Sequence, residues 1–214
     1  MTTLRFRVTL TDMESNTATS TRSYRMVARA EAVEQTQTDI LDAAVAEFWA
    51  QSTTDISLDE VAARAGVSTR TILRHFGTKQ GLLDAAAERE RQRIGRERNA
   101  ARPGDLPGAV RVLVHHYEQM GDQVIRLLAE EQRSPESRGV ADAGRASHRA
   151  WCQRMFADAL APFTGVDRRR RLAQLVAVCD VYTWKLLRRD AGLSRTQTER
   201  ALIELLQPLL EMSP

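Results

Sequence analysis

Two cysteines in 214 residues are too few for the disulfide framework of a small secreted chain. Cys152 and Cys179 lie among apolar residues at helical spacing, and they read as two reduced, partly buried thiols. No apolar run approaches the ~20 residues that a membrane span requires. The N-terminal stretch MTTLRFRVTLTDMESNTATSTRSYR lacks the continuous apolar segment of a secretory signal. Together these absences point to a cytoplasmic protein with no membrane partner. The patterns that carry catalysis are missing too: no His-x-x-x-His, no Cys-x-x-Cys, no Gly-rich phosphate loop and no nucleophile elbow. His115 and His116 are adjacent, so on a helix they point about 100° apart and do not readily share one metal. No catalytic residue, metal or cofactor is therefore expected.

One absence is local and more informative. From Gly66 to Gln80 there is no Asp or Glu, while Arg70, Arg74, His75 and Lys79 crowd the same short stretch. Overall the chain is only mildly basic, with net charge +3 and pI about 9.2, which alone does not argue for a nucleic-acid partner. Where the charge lies matters more. The 43% hydrophobic content is enough for a proper core, in one domain or two small ones.

Residues 1 to 26 differ from the rest. Leu4, Phe6, Val8 and Leu10 alternate like a weak strand, and a Ser/Thr/Asn-rich stretch follows. The segment reads as a flexible extension, with Met26 an alternative start of translation. From Val27 the pattern is helical. Ile40, Leu41, Ala44, Val45, Phe48 and Trp49 recur at three and four. Ser57-Leu58-Asp59-Glu60 is a capping box and starts a helix to about Ala65, which Gly66 stops. Ser68 caps a second short helix to about His75. Gly77 ends it, and Thr78 caps a long helix to about Asn99. After the break at 102–108, helical stretches are expected over 108–133, 138–161, 167–190 and 194–211. The class is all-α: a helix-turn-helix domain over 27–82 and a helical domain over 83–214.

The two short helices meeting at Gly66 make a helix-turn-helix. Val61, Ala62, Ala65, Val67, Ile72 and Phe76 can form its small core with Val45 and Phe48. Thr69, Arg70, Thr71, Leu73, Arg74 and His75 are left for solvent or a partner. Major-groove reading needs such a helix. Arg can bond guanine O6 and N7 together, Thr offers a hydroxyl and a methyl, and Leu can meet the thymine methyl. Lys79 and the helix start at Thr78 suit a phosphate.

Residues 40 to 87, ILDAAVAEFWAQSTTDISLDEVAARAGVSTRTILRHFGTKQGLLDAAA, resemble the DNA-binding domain of the tetracycline-repressor (TetR) family of bacterial transcription regulators. The resemblance makes Thr69, Arg70, Thr71, Leu73 and Arg74 the base-reading face, with Ser57, His75 and Lys79 as phosphate contacts. Leu73 stands where many relatives have a tyrosine, and it cannot donate a hydrogen bond. The resemblance further implies a homodimer on a palindromic double-stranded DNA operator, built through the last two long helices as a four-helix bundle. Leu175, Cys179, Tyr182, Leu186, Leu202, Leu205 and Leu209 are the expected buried positions there, facing either the partner or the chain's own core. A small-molecule effector inside the second domain is implied as well. Its expected lining is Tyr117, Met120, Leu127, Trp151, Met155, Phe156 and Trp184, with Gln123, Gln153 and Asp180 to orient it, which suits an apolar or amphipathic ligand.

Two charged stretches read as solvated helix surface: Arg168 to Arg171, and residues 88 to 98, ERERQRIGRER. The basic arm of Arg22, Arg25 and Arg29 could reach a minor groove. The functional expectation is a ligand-responsive repressor. The alternative is an all-helical ligand sensor or adaptor that has lost DNA binding.

Overall fold

A computed structural model describes residues 13–50 and 56–211, and every regular element among them is helical. In chain order these are α1 (Met13–Ala50), α2 (Leu58–Ala65), α3 (Thr69–Phe76), α4 (Lys79–Arg98), α5 (Leu106–Glu130), α6 (Pro135–Met155), α7 (Ala157–Leu160), α8 (Gly165–Val178), α9 (Val181–Lys185), a π-helical turn at Leu186–Asp190, and α10 (Arg195–Glu211). The strand pattern expected at Leu4–Leu10 lies outside the described residues, as do the side chains of Arg22 and Arg25. Residues 13–26, expected to belong to a flexible extension, are the start of α1.

The helix boundaries near α2 to α4 follow from local chemistry. Ser57 accepts from the Asp59 amide while Glu60 accepts from the Ser57 amide, closing the capping box. Gly66 ends α2 at φ 68°, a left-handed conformation that glycine adopts without a Cβ penalty. Ser68 caps α3 and Thr78 caps α4 through side-chain bonds to Thr71 and Gly81. Ile40, Ala43, Ala44, Ile56, Val61, Ala62, Ile72, Leu82, Leu83 and Ala86 form one buried cluster, with Val45, Phe48 and Phe76 against it. Two ion pairs hold α1 to its neighbours: Glu47 with Arg64 on α2 at 2.7 Å, and Asp42 with Arg89 on α4 at 2.6 Å.

The second cluster is larger. It packs α5, α6, α8, α9 and α10 around Leu113, Tyr117, Trp151, Leu175, Trp184, Leu202 and Leu206. α5 approaches α9 closely because Gly121 has no side chain. A Cβ there would sit inside the Trp184 ring. The Trp184 indole donates to Glu118 Oε1 at 3.1 Å, and Arg188 donates to the same oxygen at 2.8 Å. Burial works against the Glu118 charge, but those two donors outweigh it and hold the carboxyl below its ordinary pKa.

Three expectations need correction. The single helix expected over 167–190 is broken at Cys179–Asp180, because Asp180 takes an extended backbone and caps α9 through the Tyr182 amide. Arg171 is not solvated: it is buried, with its guanidinium 4.8 Å from the centre of the Phe163 ring. In the 88–98 stretch Glu90 and Arg98 are both buried. They extend the row Leu82, Ala86, Glu90, Ile94, Arg98, spaced by four, and that ridge faces the rest of the chain.

Candidate DNA-reading face and ligand cavity

α3 has two unlike sides. Ile72 points inward and is fully buried. Arg70 and Arg74 are exposed, and Leu73 is 42% exposed, which puts all three on the outer face. Neither arginine bonds to a carboxylate among the described residues. Thr69 and Thr71 are half-buried at the helix start. Thr71 Oγ1 is 3.0 Å from Ser68 Oγ, and Thr69 reaches Asp59 at 3.5 Å. His75 is half-buried beside Phe76, and Lys79 opens α4 with no acidic partner among the described residues. Ser57 spends its hydroxyl on the α2 cap, which leaves its backbone region, at the start of α2, as what it could offer a phosphate. The eight residues expected to touch DNA thus fall on α3 and the two helix starts flanking it.

Behind this unit lies a cavity of about 400 Å³. Its wall comes from the end of α1, the second half of α4, the middle of α5, α6 and the α8–α9 junction. Of the residues named as lining, Tyr117, Leu127 and Trp151 are on its wall, and so is Asp180. Met155, Phe156 and Trp184 pack in the core instead, and Met120 takes a bond from Arg93 through its sulfur. Gln123 and Gln153 are not on the wall.

The wall also holds charged and titratable groups that the sequence reading left out: Glu90, Arg98, His116 and His148. Glu90 is held by Arg93 at 2.6 and 2.8 Å, and by the Trp49 indole at 3.3 Å. Arg126 donates to the Trp49 carbonyl at 2.7 Å, which ties the end of α1 to α5. Arg98 is stacked between two rings, 5.5 Å from Tyr117 and 5.4 Å from Trp151. Its Nη1 lies 3.2 Å from His148 Nδ1. Cys152 Sγ is 3.8 Å from the other nitrogen of that imidazole. Both cysteines are buried free thiols, as the sequence suggested, though more deeply than expected. The Cys179 thiol beside it, then His148, favour the thiolate of Cys152 against the cost of burial.

His116 is buried with Nδ1 unpartnered. Desolvation first, then the Arg98 and Arg93 charges, push its pKa from 6.5 down to about 2. The folded state thus keeps a neutral imidazole where the unfolded chain takes up a proton. Stability from this group is complete above pH 6.5 and falls as pH drops below it, by about 1.4 kcal/mol per unit. Between pH 7 and pH 5 the chain is expected to lose about 2 kcal/mol through His116. His116→Phe should flatten that part of a urea-denaturation pH profile, and an unchanged slope would contradict the assignment.

The expected dimer residues divide cleanly. Leu175, Cys179 and Leu202 are buried within the chain's own core. Tyr182, Leu186 and Leu205 are 49%, 60% and 47% exposed, and Leu209 is half-buried.

Residues 40–86 match the family described as bacterial regulatory proteins, tetR family. An uncharacterised HTH-type transcriptional regulator of Mycobacterium tuberculosis is 40% identical over 58 residues, a stretch that is 27% of this chain and 29% of that protein. Among solved structures, a putative transcriptional regulator from Pseudomonas aeruginosa PAO1 superposes with a TM-score of 0.63. It is 18% identical, over 83% of this chain and 91% of that one. A SmeT–triclosan complex superposes with a TM-score of 0.59 at 20% identity, over 81% of this chain and 90% of that one. Over residues 40–86 the chain thus matches the family model of the tetR bacterial regulatory proteins, and its fold as a whole is that of the solved regulators on which it superposes.

Proposed function

We propose that the chain is a ligand-responsive transcriptional repressor that binds a palindromic operator as a homodimer. The observation that carries this reading is the outer face of α3, where Arg70 and Arg74 stand exposed, without carboxylate partners among the described residues, on an acid-free stretch. Such a face suits guanine edges in the major groove, while Lys79, His75 and the start of α2 at Ser57 suit phosphates.

One helix reads too few base pairs for genomic specificity, and a two-fold dimer reads two half-sites. Tyr182 on α9, Leu186 on the π-helical turn and Leu205 on α10 are exposed apolar side chains, which suits self-association. Leu186→Glu together with Leu205→Glu should convert a dimer to a monomer in sedimentation velocity while leaving the helical circular dichroism unchanged. A doubly substituted chain that still sediments as a dimer places the interface elsewhere.

The cavity serves as the effector site, and the relative solved with triclosan supports a ligand of mainly apolar character. α4 joins the two functions. It is 20 residues, about 30 Å, with Lys79 beside α3 at one end and Arg98 on the cavity wall at the other. A ligand that prefers one tilt of α4 changes the spacing of two α3 helices away from the ~34 Å of a B-DNA repeat. The test is selection of bound duplexes from a random pool with the full chain. An inverted repeat is expected, and a pool that never enriches contradicts the reading.

A further inference from the structure

Arg98 is a buried cation on the cavity wall. It is 7% exposed, and no carboxylate bonds to it among the described residues. Its Nε has no hydrogen-bond partner among the described residues. Around it stand the Tyr117 and Trp151 rings on its faces and His148 at Nη1. Burying a guanidinium in this way costs several kcal/mol unless an anion arrives to share the site.

The other charged groups on the wall are already engaged. Arg91 bonds to Glu88 at 3.2 Å, Arg145 to Glu131 and Asp142 at 2.8 and 2.6 Å, and Arg154 to the Asn99 amide oxygen at 2.6 Å. Of the two acids on the wall, Glu90 is neutralised by Arg93 and Asp180 is bonded to the Tyr182 amide as the α9 cap. Beyond them the wall is apolar, with Phe48, Trp49, Val124, Leu127, Leu128 and Val140.

We propose that the cavity takes an amphipathic organic monoanion, its carboxylate paired with the Arg98 guanidinium and its apolar body laid along the α1–α5–α6 wall. This rests on the reading of the cavity as an effector site. The pairing gives the buried guanidinium a carboxylate partner that it lacks among the described residues, and the planar fork of arginine can hold a carboxylate through two parallel bonds. Because Arg98 ends α4, the ligand's charge acts directly on the helix that carries Lys79.

The experiment compares decanoate, 1-decanol and decylamine, each below its aggregation threshold, by calorimetry and thermal shift on the full chain. Decanoate is expected to bind at least about tenfold more tightly than decanol, in line with a charge-assisted hydrogen bond, and decylamine most weakly. Arg98→Gln should abolish the preference for decanoate over decanol while decanol still binds. Arg98→Met, which keeps an unbranched side chain between the two rings without charge, should behave alike and guards against a folding defect in the first variant. Arg154→Gln should leave the preference intact. Equal binding of decanoate and decanol, or a preference that survives in both Arg98 variants, overturns the anion proposal and leaves the cavity an apolar site. If none of the three ligands binds, the proposal falls together with the effector reading.

Discussion

Arg70→Ala should cost about 1–3 kcal/mol on a preferred duplex and relax base preference at one position of each half-site. Arg74→Ala, one helical turn along the same face, should do the same at a nearby position. The doubly substituted chain should bind the preferred duplex scarcely better than random DNA. Both side chains are exposed and make no intrachain ion pair among the described residues, so their loss should leave thermal stability nearly unchanged. Lys79→Ala is the contrasting case. A phosphate contact carries no sequence information, so preferred and random duplexes should weaken alike. Fluorescence anisotropy on both duplexes separates the two classes. Equal losses on the two duplexes for Arg70→Ala would remove α3 from the role of sequence reader.

The second large effect lies in the helical body. Trp184→Ala should destabilise the chain by about 3–5 kcal/mol, since the ring is wholly buried and its indole bonds to Glu118. The pairing with Gly121 makes a sharper test. In the wild-type background Gly121→Ala forces its Cβ into the Trp184 ring, so the substitution destabilises despite the better helix propensity of alanine. With Trp184→Ala already present the obstruction is gone, and Gly121→Ala should stabilise α5 by roughly 1 kcal/mol. The sign of the Gly121 substitution should therefore invert between backgrounds, a coupling that urea denaturation of the four proteins measures. Additive effects would mean that the close approach of α5 and α9 does not set stability here.

What was legible in the sequence was what local chemistry decides. Ser57 with Glu60, Gly66, Ser68, Gly77 and Thr78 fix where α2 and α3 begin and end and where α4 begins, within a few residues and without help from the rest of the chain. Ile72 as the inward residue and Arg70 and Arg74 as outward ones follow from the same short period. Asp180 shows where that reasoning stops. The apolar stripe from Leu172 to Leu186 runs through it, while the side chain's competing bond to the Tyr182 amide starts a new helix there. Arg98 was hidden for another reason. Charge in an Arg- and Glu-rich stretch reads as exposure, whereas Tyr117, His148 and Trp151, which cover it, come from α5 and α6 far along the chain. The i+4 row through Leu82, Ala86, Glu90 and Ile94 was the available signal. The cavity had none, since a void depends on where several helices fail to meet.

The central claim is that α3 reads duplex DNA by sequence. Its most direct test is binding of the full chain to DNA from upstream of its own reading frame, beside a scrambled duplex of the same composition, across a salt series. The account predicts selective binding with a steep loss of affinity as salt rises, the mark of several phosphate contacts. Equal binding to both duplexes at every salt concentration, repeated with duplexes recovered from the random-pool selection, would contradict it.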